Sequence, residues 1–574
     1  MGKFEDYRRG KKVPEKHLAW PLFGSGIDKL GRKNRPVERK VPDYGDDELL
    51  IRHDAVGLCF TDVKEITFGE KHPRLTGRDL SNDPIVPGHE ASITVVGVGK
   101  NLRNKYTVGT RFVIQPDVWY KGKSVPYSFG MDGAYRQYGV MGKEILDGDA
   151  GCYLIPVSSH MSYAAAALTE PWACVEAAYR VAYRHELKDK GNVWLFGNKR
   201  TRLGYSFKKI WDFEHRPSMV YVSDIPVDLA GQVEKLCREF GAELVKKESS
   251  EIIKSDLRFD DIFVLDGNKE EIDAASPLLA NEGILAIFAV EPLSGPIKMD
   301  FGRVHYDKIV YVGTTGLDLD SAYRRTCIRS KHKPKGKMLI LGAGGPMGRM
   351  HLQRAIESSN NPEQIVATDI DDNRIEGLEL SFDYLAKKNR IKLHNINTLK
   401  DAEGYRSILS GVLDNGGFDD IEVMITNIES VIETSRHLAN GGVMSLFAGL
   451  KRGSIGEVDA WVIFGPKQAR IIGHSGSGLS DQKAIVERFE QGELEPRRSM
   501  AAVCGMNQVA EGIKAMMDAV FPGKIVVYPA VPDFPLTGLS ELKKILPEVY
   551  EKLEGGRVWT REAEETFLEI MLPE

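Results

Sequence analysis

Cysteine is scarce and scattered, with six in 574 residues and no close pairs. That excludes a disulfide framework and makes the reducing cytoplasm the expected compartment. No apolar run approaches the ~18 residues of a membrane span, and the charged N-terminus lacks the apolar core of a signal peptide. No membrane partner is expected. Neither sign of charge dominates: 77 Lys and Arg face 82 Asp and Glu, for a net charge of −5. Such a balance gives no general attraction for nucleic acid. The first 40 residues are locally basic but poor in interleaved aromatics, so they read as a solvated arm or strand edge. Low-complexity segments are absent as well. A chain of 574 residues exceeds one hydrophobic core, so three or more domains are expected.

What the chain does contain is a repeat. Lys190-Gly191-Asn192-Val193-Trp194-Leu195-Phe196-Gly197 is echoed by Lys335-Gly336-Lys337-Met338-Leu339-Ile340-Leu341-Gly342, and 336 − 191 = 145. The apolar run ending in Asp224 is echoed by one ending in Asp369, and 369 − 224 = 145 again. Phe259-Asp260-Asp261-Ile262 is matched by Phe418-Asp419-Asp420-Ile421, and Leu279-Ala280-Asn281 by Leu438-Ala439-Asn440, both offset by 159 (418 − 259 and 438 − 279). Order is kept and the offset grows by insertion, which is the signature of a tandem duplication. Each copy alternates apolar β runs with polar helical stretches, as a parallel sheet with crossover helices requires.

The copies differ at the first turn. In the second, a strand (MLILG) runs into Gly342-Ala343-Gly344-Gly345-Pro346-Met347-Gly348 and then a helix. Gly342, Gly344 and Gly345 suit a tight turn and a close backbone approach to a pyrophosphate, and Gly348 suits helix–strand packing. Met347 lies on the first helical turn, whose free amides favour phosphate. Asp369, 21 residues after Gly348, is placed to accept hydrogen bonds from ribose hydroxyls and to repel a 2′-phosphate. NAD is therefore expected rather than NADP. The first copy keeps Asp224 but carries Lys199, Arg200 and Arg202 in place of the glycines. It reads as a structural module.

Before the repeat, short β-rich runs broken by Gly and Pro between about Glu48 and Val140 suggest a compact, mostly β domain. Residues 164–184 read as one helix. A basic linker, Ser330 to Pro334, is expected to be exposed. After Gly476 come helices and the strand KIVVYP, and Ser540 to Leu572 reads as an amphipathic helical tail.

The β domain holds Gly57-Leu58-Cys59-Phe60-Thr61-Asp62 and Pro87-Gly88-His89-Glu90, and the following helix holds Glu170. A thiolate, an imidazole and a carboxylate from separate elements suit a zinc site with an open position. The motifs GLCFTD, PGHE, VVGVGKN, VGTRFVIQP, DGAYRQYGV and LTEPWA, followed by a dinucleotide domain, resemble the zinc-dependent medium-chain dehydrogenases. The resemblance is closest to the sorbitol dehydrogenase and L-sorbose-1-phosphate reductase branches.

That resemblance implies an α/β protein with a GroES-like catalytic domain (1–185) and two tandem Rossmann-type doubly wound domains. The degenerate copy spans 186–330 and the NAD-binding copy 335–475, and 476–574 completes the fold with a helical tail. It implies one catalytic zinc held by Cys59, His89 and a carboxylate, with Glu90 and Glu170 both matching acids of the polyol branch. Thr61 matches the hydroxyl that passes the substrate proton, and Asp62 is expected behind His89. Glu90 counts among both the ligand and the catalytic candidates. The four-cysteine lobe of many relatives is missing, so no structural zinc is expected, and Lys64 stands where the alcohol branch ends its proton relay in histidine. His72 and Arg74 are read as surface-loop residues, with the site mouth as the alternative, and Cys174 as a core helix residue.

The function implied is hydride transfer between NAD and a secondary alcohol or ketone of a polyol, sugar or sugar phosphate. The alternatives are a zinc-free reductase of the same fold and a non-catalytic NAD-binding or structural protein. Family members commonly dimerise by joining nucleotide domains edge to edge. The first copy is therefore expected to act as an internal pseudo-dimer partner for the second, with homo-oligomers through other surfaces left open.

Overall fold

The structure is a computed structural model that describes residues 2–10, 13–324 and 332–573. Cys327 and the Ser330–Lys331 part of the expected linker lie outside these residues. The chain forms two compact units: residues 1–176 with 345–350 and 476–574, and residues 177–344 with 351–475. Among the described residues no helix is long and apolar enough to cross a membrane.

The first unit is built on an eight-stranded sheet. Its centre is strand Leu49–Gly57, buried along its whole length. This strand pairs antiparallel with Glu90–Val98, and Tyr138–Met141 pairs with its first half. On the other side Val527 and Val526, from strand Lys524–Tyr528, pair with Val56 and Gly57. The sheet is therefore completed by a strand far down the chain, beside the turn that carries Cys59. The basic N-terminal stretch forms helix Lys3–Arg8 and a two-stranded ribbon, Lys16–Ala19 with Val37–Lys40.

The helix expected over 164–184 is two helices, Tyr163–Ala167 and Thr169–Ala178, and it stops there. Beyond it Tyr179, Val181 and Tyr183 are buried while Arg180 and Ala182 are exposed. That alternation has a period of two residues and needs an extended chain. The expected helical tail is likewise divided into Leu542–Ile545, Pro547–Tyr550 and Arg561–Met571.

The second unit holds both copies. Each has a six-stranded parallel sheet with the same strand order. In the first copy the strands are Asn192–Phe196, Met219–Ser223, Glu243–Lys246, Phe259–Leu265, Leu279–Phe288 and Val310–Thr314. In the second they are Lys337–Leu341, Gln364–Asp369, Lys392–Asn397, Phe418–Val423, Leu438–Leu446 and Arg470–Gly473. Numbered this way, the order across each sheet is third, second, first, fourth, fifth, sixth. This is the doubly wound arrangement of dinucleotide-binding domains.

The duplication reaches single hydrogen bonds. Lys188 Nζ lies 2.6 Å from Asp260 Oδ1, and Lys333 Nζ 2.6 Å from Asp419 Oδ1. The same two carboxylates accept the N–H of Asn192 and of Lys337, each at 2.9 Å. Both sheets shift register at the same point, Phe259/Asp261 and Phe418/Asp420.

One crossover helix is missing. Between the first two strands of the first copy the chain makes no helix. Tyr205, Phe207, Ile210 and Trp211 pack there with Val193 and Leu195 instead. An aromatic-rich segment without helical spacing covers the sheet face that a helix covers in the second copy. The linker also departs from expectation, since Lys333 and Pro334 are exposed but His332 is buried. The His332 ring packs edge-on against Tyr179 with centroids 4.8 Å apart.

The copies meet through equivalent parts. Ile297–Asp300 pairs antiparallel with its counterpart Ile455–Val458, and the sixth strands of the two sheets adjoin. Gly313, in the sixth strand of the first copy, lies against Phe464; a side chain there would come within 2.6 Å of the Phe464 Cβ. Gly473, in the sixth strand of the second, lies against His305 at 2.5 Å by the same measure. One apolar core runs across both copies, including Phe301, Val304 and Tyr311 with Val458, Phe464 and Ile471. Like parts touching like parts is the pattern of an isologous interface, here within one chain.

Candidate functional site

Cys59 caps helix Phe60–Phe68. Its Sγ accepts the Thr61 N–H at 3.5 Å, and its own N–H donates to Asp62 Oδ2 at 2.9 Å. The reciprocal cap fixes the thiol at the helix start and sets Asp62 one turn inside. Asp62 is fully buried. Its Oδ1 lies 2.9 Å from His89 Nδ1, and Tyr135 Oη donates to its Oδ2 at 2.5 Å. A carboxylate on Nδ1 orients the ring and leaves Nε2 for a ligand. Burial opposes the charged imidazole, but Asp62 and Cys59 raise its proton affinity well above the ordinary value. A metal ion on Nε2 would compete with a proton there.

Glu90 follows His89 at the start of strand Glu90–Val98. Its Oε1 accepts from Lys524 Nζ at 2.5 Å, and the ammonium also donates to Leu58 O at 2.6 Å. Glu90 Oε2 is buried without a hydrogen-bond partner among the described residues. It lies so close to Gly57 that a Cβ there would fall 2.0 Å away. Gly57 is thus required by the carboxylate. One ligand atom each from Cys59, His89 and Glu90 lie within 4.8 Å of one another. A thiolate, an imidazole and a carboxylate with an orphaned oxygen fit a zinc ion.

Glu170 stands just outside this cluster, on helix Thr169–Ala178. Burial pushes its carboxyl up to about 7, with His89 and Glu90 also acting on it. Cys174 Sγ lies 3.8 Å from Glu170 Oε1, and the thiol is pushed up by burial, so Cys174 is a protonated neighbour. Thr61 is half-buried on the first turn of the Cys59-capped helix. Sequence reasoning missed Lys524, Tyr135 and Glu65. Glu65 is fully buried one turn beyond Asp62, and burial, then Asp62, raises its pKa well above the usual carboxylate range. An odd charge on an otherwise apolar strand, KIVVYP, was the available signal for Lys524.

The glycine turn follows strand Lys337–Leu341. Gly342 has φ +78°, and Gly344 is crowded by Arg374 Cβ and Asp369 Oδ2, which a Cβ would meet at 2.5 and 2.8 Å. Both positions demand glycine. Gly345 precedes helix Pro346–Glu357, and Met347 and Gly348 form its first turn. Asp369 ends its strand and is buried. Its Oδ2 accepts the Gly344 N–H at 3.0 Å and its Oδ1 the Ile370 N–H at 2.8 Å. The carboxylate therefore also ties the turn to the strand end, a role that spacing alone did not reveal. Arg374 Nη1 lies 3.8 Å from it.

Residues 45–147 match the alcohol dehydrogenase GroES-like domain. An uncharacterised protein of Escherichia coli strain K12, YggP, is 31% identical over 333 residues, covering 53% of this chain and 77% of that protein. The chain belongs to the medium-chain alcohol and polyol dehydrogenase family. Within that family, the mannitol-1-phosphate 5-dehydrogenase of Aliivibrio fischeri is 28% identical over 303 residues, 48% of this chain and 70% of that enzyme. An alcohol dehydrogenase from Thermotoga maritima shares the fold at a TM-score of 0.50 and 14% identity, over 90% of this chain and 99% of its own.

The first copy retains the dehydrogenase sheet and fills its turn. Thr201 Oγ1 accepts the Asn198 N–H at 2.7 Å and donates to Leu265 O at 3.1 Å. Asn198 Nδ2 donates to Asp266 O at 3.1 Å. Arg202 Nε pairs with Asp266 Oδ1 at 2.9 Å, and Tyr205 Oη donates to Asp266 Oδ2 at 2.9 Å. Asp224, the counterpart of Asp369, is exposed with φ +50°. Side chains of this copy occupy the turn that in the other is built from glycines.

Proposed function

We propose that the chain is a zinc- and NAD-dependent dehydrogenase acting on a secondary alcohol or ketone of a polyol, sugar or sugar phosphate. The observation that carries this reading is the convergence of Cys59, His89 and Glu90, with Glu90 Oε2 buried and unpartnered. These three residues would hold one zinc, whose Lewis acidity makes a bound hydroxyl easier to deprotonate. Gly342, Gly344, Gly345, Met347, Gly348 and Asp369 would hold NAD, which supplies the hydride chemistry.

The chain's own residues do the rest. Asp62, itself held by Tyr135 and the Cys59 N–H, keeps His89 in the tautomer that presents Nε2. Lys524 offsets the buried charge of Glu90. The Thr61 hydroxyl would relay the substrate proton, giving up its own as it receives one, and Glu170, with a pKa near neutrality, stands beside the cluster as a carboxyl able to accept a proton. The name of the mannitol-1-phosphate relative supports a polyol or its phosphate as substrate. NAD binding is assigned to the second copy alone, and the first serves as the internal counterpart of a dimer partner. The deciding experiment is an NAD-reduction screen of zinc-loaded protein across polyols, sugars and their phosphates. Turnover of none of them overturns the reading.

A further inference from the structure

On the loop after helix Phe60–Phe68, an imidazole and a guanidinium share one aromatic ring. The His72 ring stacks on Phe129 at 5.0 Å and 24°. The Arg74 guanidinium lies 5.3 Å from the centroid of the same ring. Phe129 is itself buried, so it is a fixed platform. Arg74 Nη1 pairs with Asp117 at 3.0 Å, yet the Arg74 side chain remains 49% exposed. A guanidinium carries five N–H donors, and one carboxylate leaves several free. Lys64 stands on the adjoining helix, with its ammonium 5.9 Å from the Phe60 ring. Arg74 and Lys64 both lower the His72 pKa after burial does, so the three groups act on one another. Asp117 pairs with Arg74, and Glu70 accepts the Leu80 N–H at 3.0 Å.

This lobe is joined to the elements that carry the cluster: Lys64 lies on the helix that Cys59 caps, and Asp117, the partner of Arg74, lies against Gly476, where a Cβ would meet its Oδ2 at 3.1 Å. Glu65 feels both His89 and Arg74. Asp117, the partner of Arg74, acts on Glu170 and on Cys174. Asp117 also follows Gln115, whose Nε2 donates to Ser477 Oγ at 3.1 Å. A substrate whose carbinol lies at Cys59, His89 and Glu90 would carry its far end toward Arg74.

We propose that Arg74, with His72 and Lys64, forms a specificity subsite for the phosphate monoester of a phosphorylated polyol or ketose. The inference rests on the dehydrogenase reading and narrows its substrate class. A guanidinium pre-oriented over an aromatic ring presents paired N–H groups to phosphate oxygens at little ordering cost. Asp117 holds it in place when the phosphate is absent. An unphosphorylated polyol would leave the remaining N–H groups of Arg74 to water.

The test uses the full-length protein and two readouts. Calorimetric titration with glycerol 3-phosphate, glycerol and inorganic phosphate is run on the wild type, Arg74→Ala and Arg74→Lys. Glycerol 3-phosphate should bind the wild type more tightly than glycerol does. Binding should weaken about tenfold or more in Arg74→Ala and partly recover in Arg74→Lys. In turnover, the ratio of kcat/KM for a polyol phosphate to that for the free polyol should fall by a similar factor in Arg74→Ala. Equal phosphate-ester binding by wild type and Arg74→Ala overturns the inference, as does an unchanged ratio. Binding of inorganic phosphate with no preference for esters overturns it too. Failure of every substrate to turn over overturns the dehydrogenase reading instead, and the titration still decides the subsite.

Discussion

Lys524→Met isolates a buried ion pair that sequence reasoning did not anticipate. The Lys524 ammonium is 4% exposed and the Glu90 side chain fully buried, with 2.5 Å between Nζ and Oε1. Burial works against the charge of Lys524, but Glu90, then Cys59, raise its pKa. Removing one partner of such a pair leaves an uncompensated buried charge, which costs about 3–5 kcal/mol. At about 2–4 °C per kcal/mol for a unit of this size, the metal-free variant should melt about 6–20 °C below the wild type. A zinc ion held by Cys59, His89 and Glu90 supplies positive charge to the carboxylate that lost it. Adding zinc should therefore raise the melting temperature of Lys524→Met more than that of the wild type. Scanning calorimetry with chelator and then with zinc reads both effects. An unchanged melting temperature without metal refutes the pairing energetics. Equal zinc-induced shifts in the two proteins refute Glu90 as a ligand.

Asp369→Ala should weaken NAD and relax the bias against NADP, while Asp224→Ala does neither; fluorescence titration with both dinucleotides checks this, and two equivalent NAD sites per chain would contradict it. Glu170 has a folded pKa of about 7, above its unfolded value, so the folded state binds more protons and stability falls as pH rises between about 4.5 and 7. Glu170→Gln should remove about 3 kcal/mol of that pH dependence in chelator-treated protein, and parallel denaturation curves for the two proteins at pH 5 and 8 would refute it. Deleting residues 186–330 uncovers Ile455–Val458 and Arg470–Gly473, and open strand edges invite association; light scattering should show dimers or aggregates. A soluble monomer would end the pseudo-dimer assignment.

The duplication was legible because parallel strands buried on both faces must stay apolar, so their spacing survives divergence. Cys59, His89 and Glu90 were legible as motifs, and their convergence follows from Gly57 and Glu90 being paired on adjacent strands. Other features were hidden for identifiable reasons. The helix expected through Arg184 broke because Tyr179, Val181 and Tyr183 suit either period until their burial is known. The missing helix of the first copy is a matter of aromatic packing by Tyr205, Phe207 and Trp211, which carries no periodic signal. Lys524 was invisible because strand pairing brings it to Glu90 from 434 positions away. The grouping of Glu90, rather than Glu170, with Cys59 and His89 is visible only in three dimensions, since both acids sit in similarly apolar stretches of sequence.

The most direct measurement is polyol-dependent NAD reduction by the wild type and Cys59→Ser, with zinc counted in the same preparations. The account predicts about one zinc per wild-type chain, and loss of most metal and activity in Cys59→Ser with the fold intact by circular dichroism. Full activity in Cys59→Ser, or two tightly held zinc ions per wild-type chain, would contradict it.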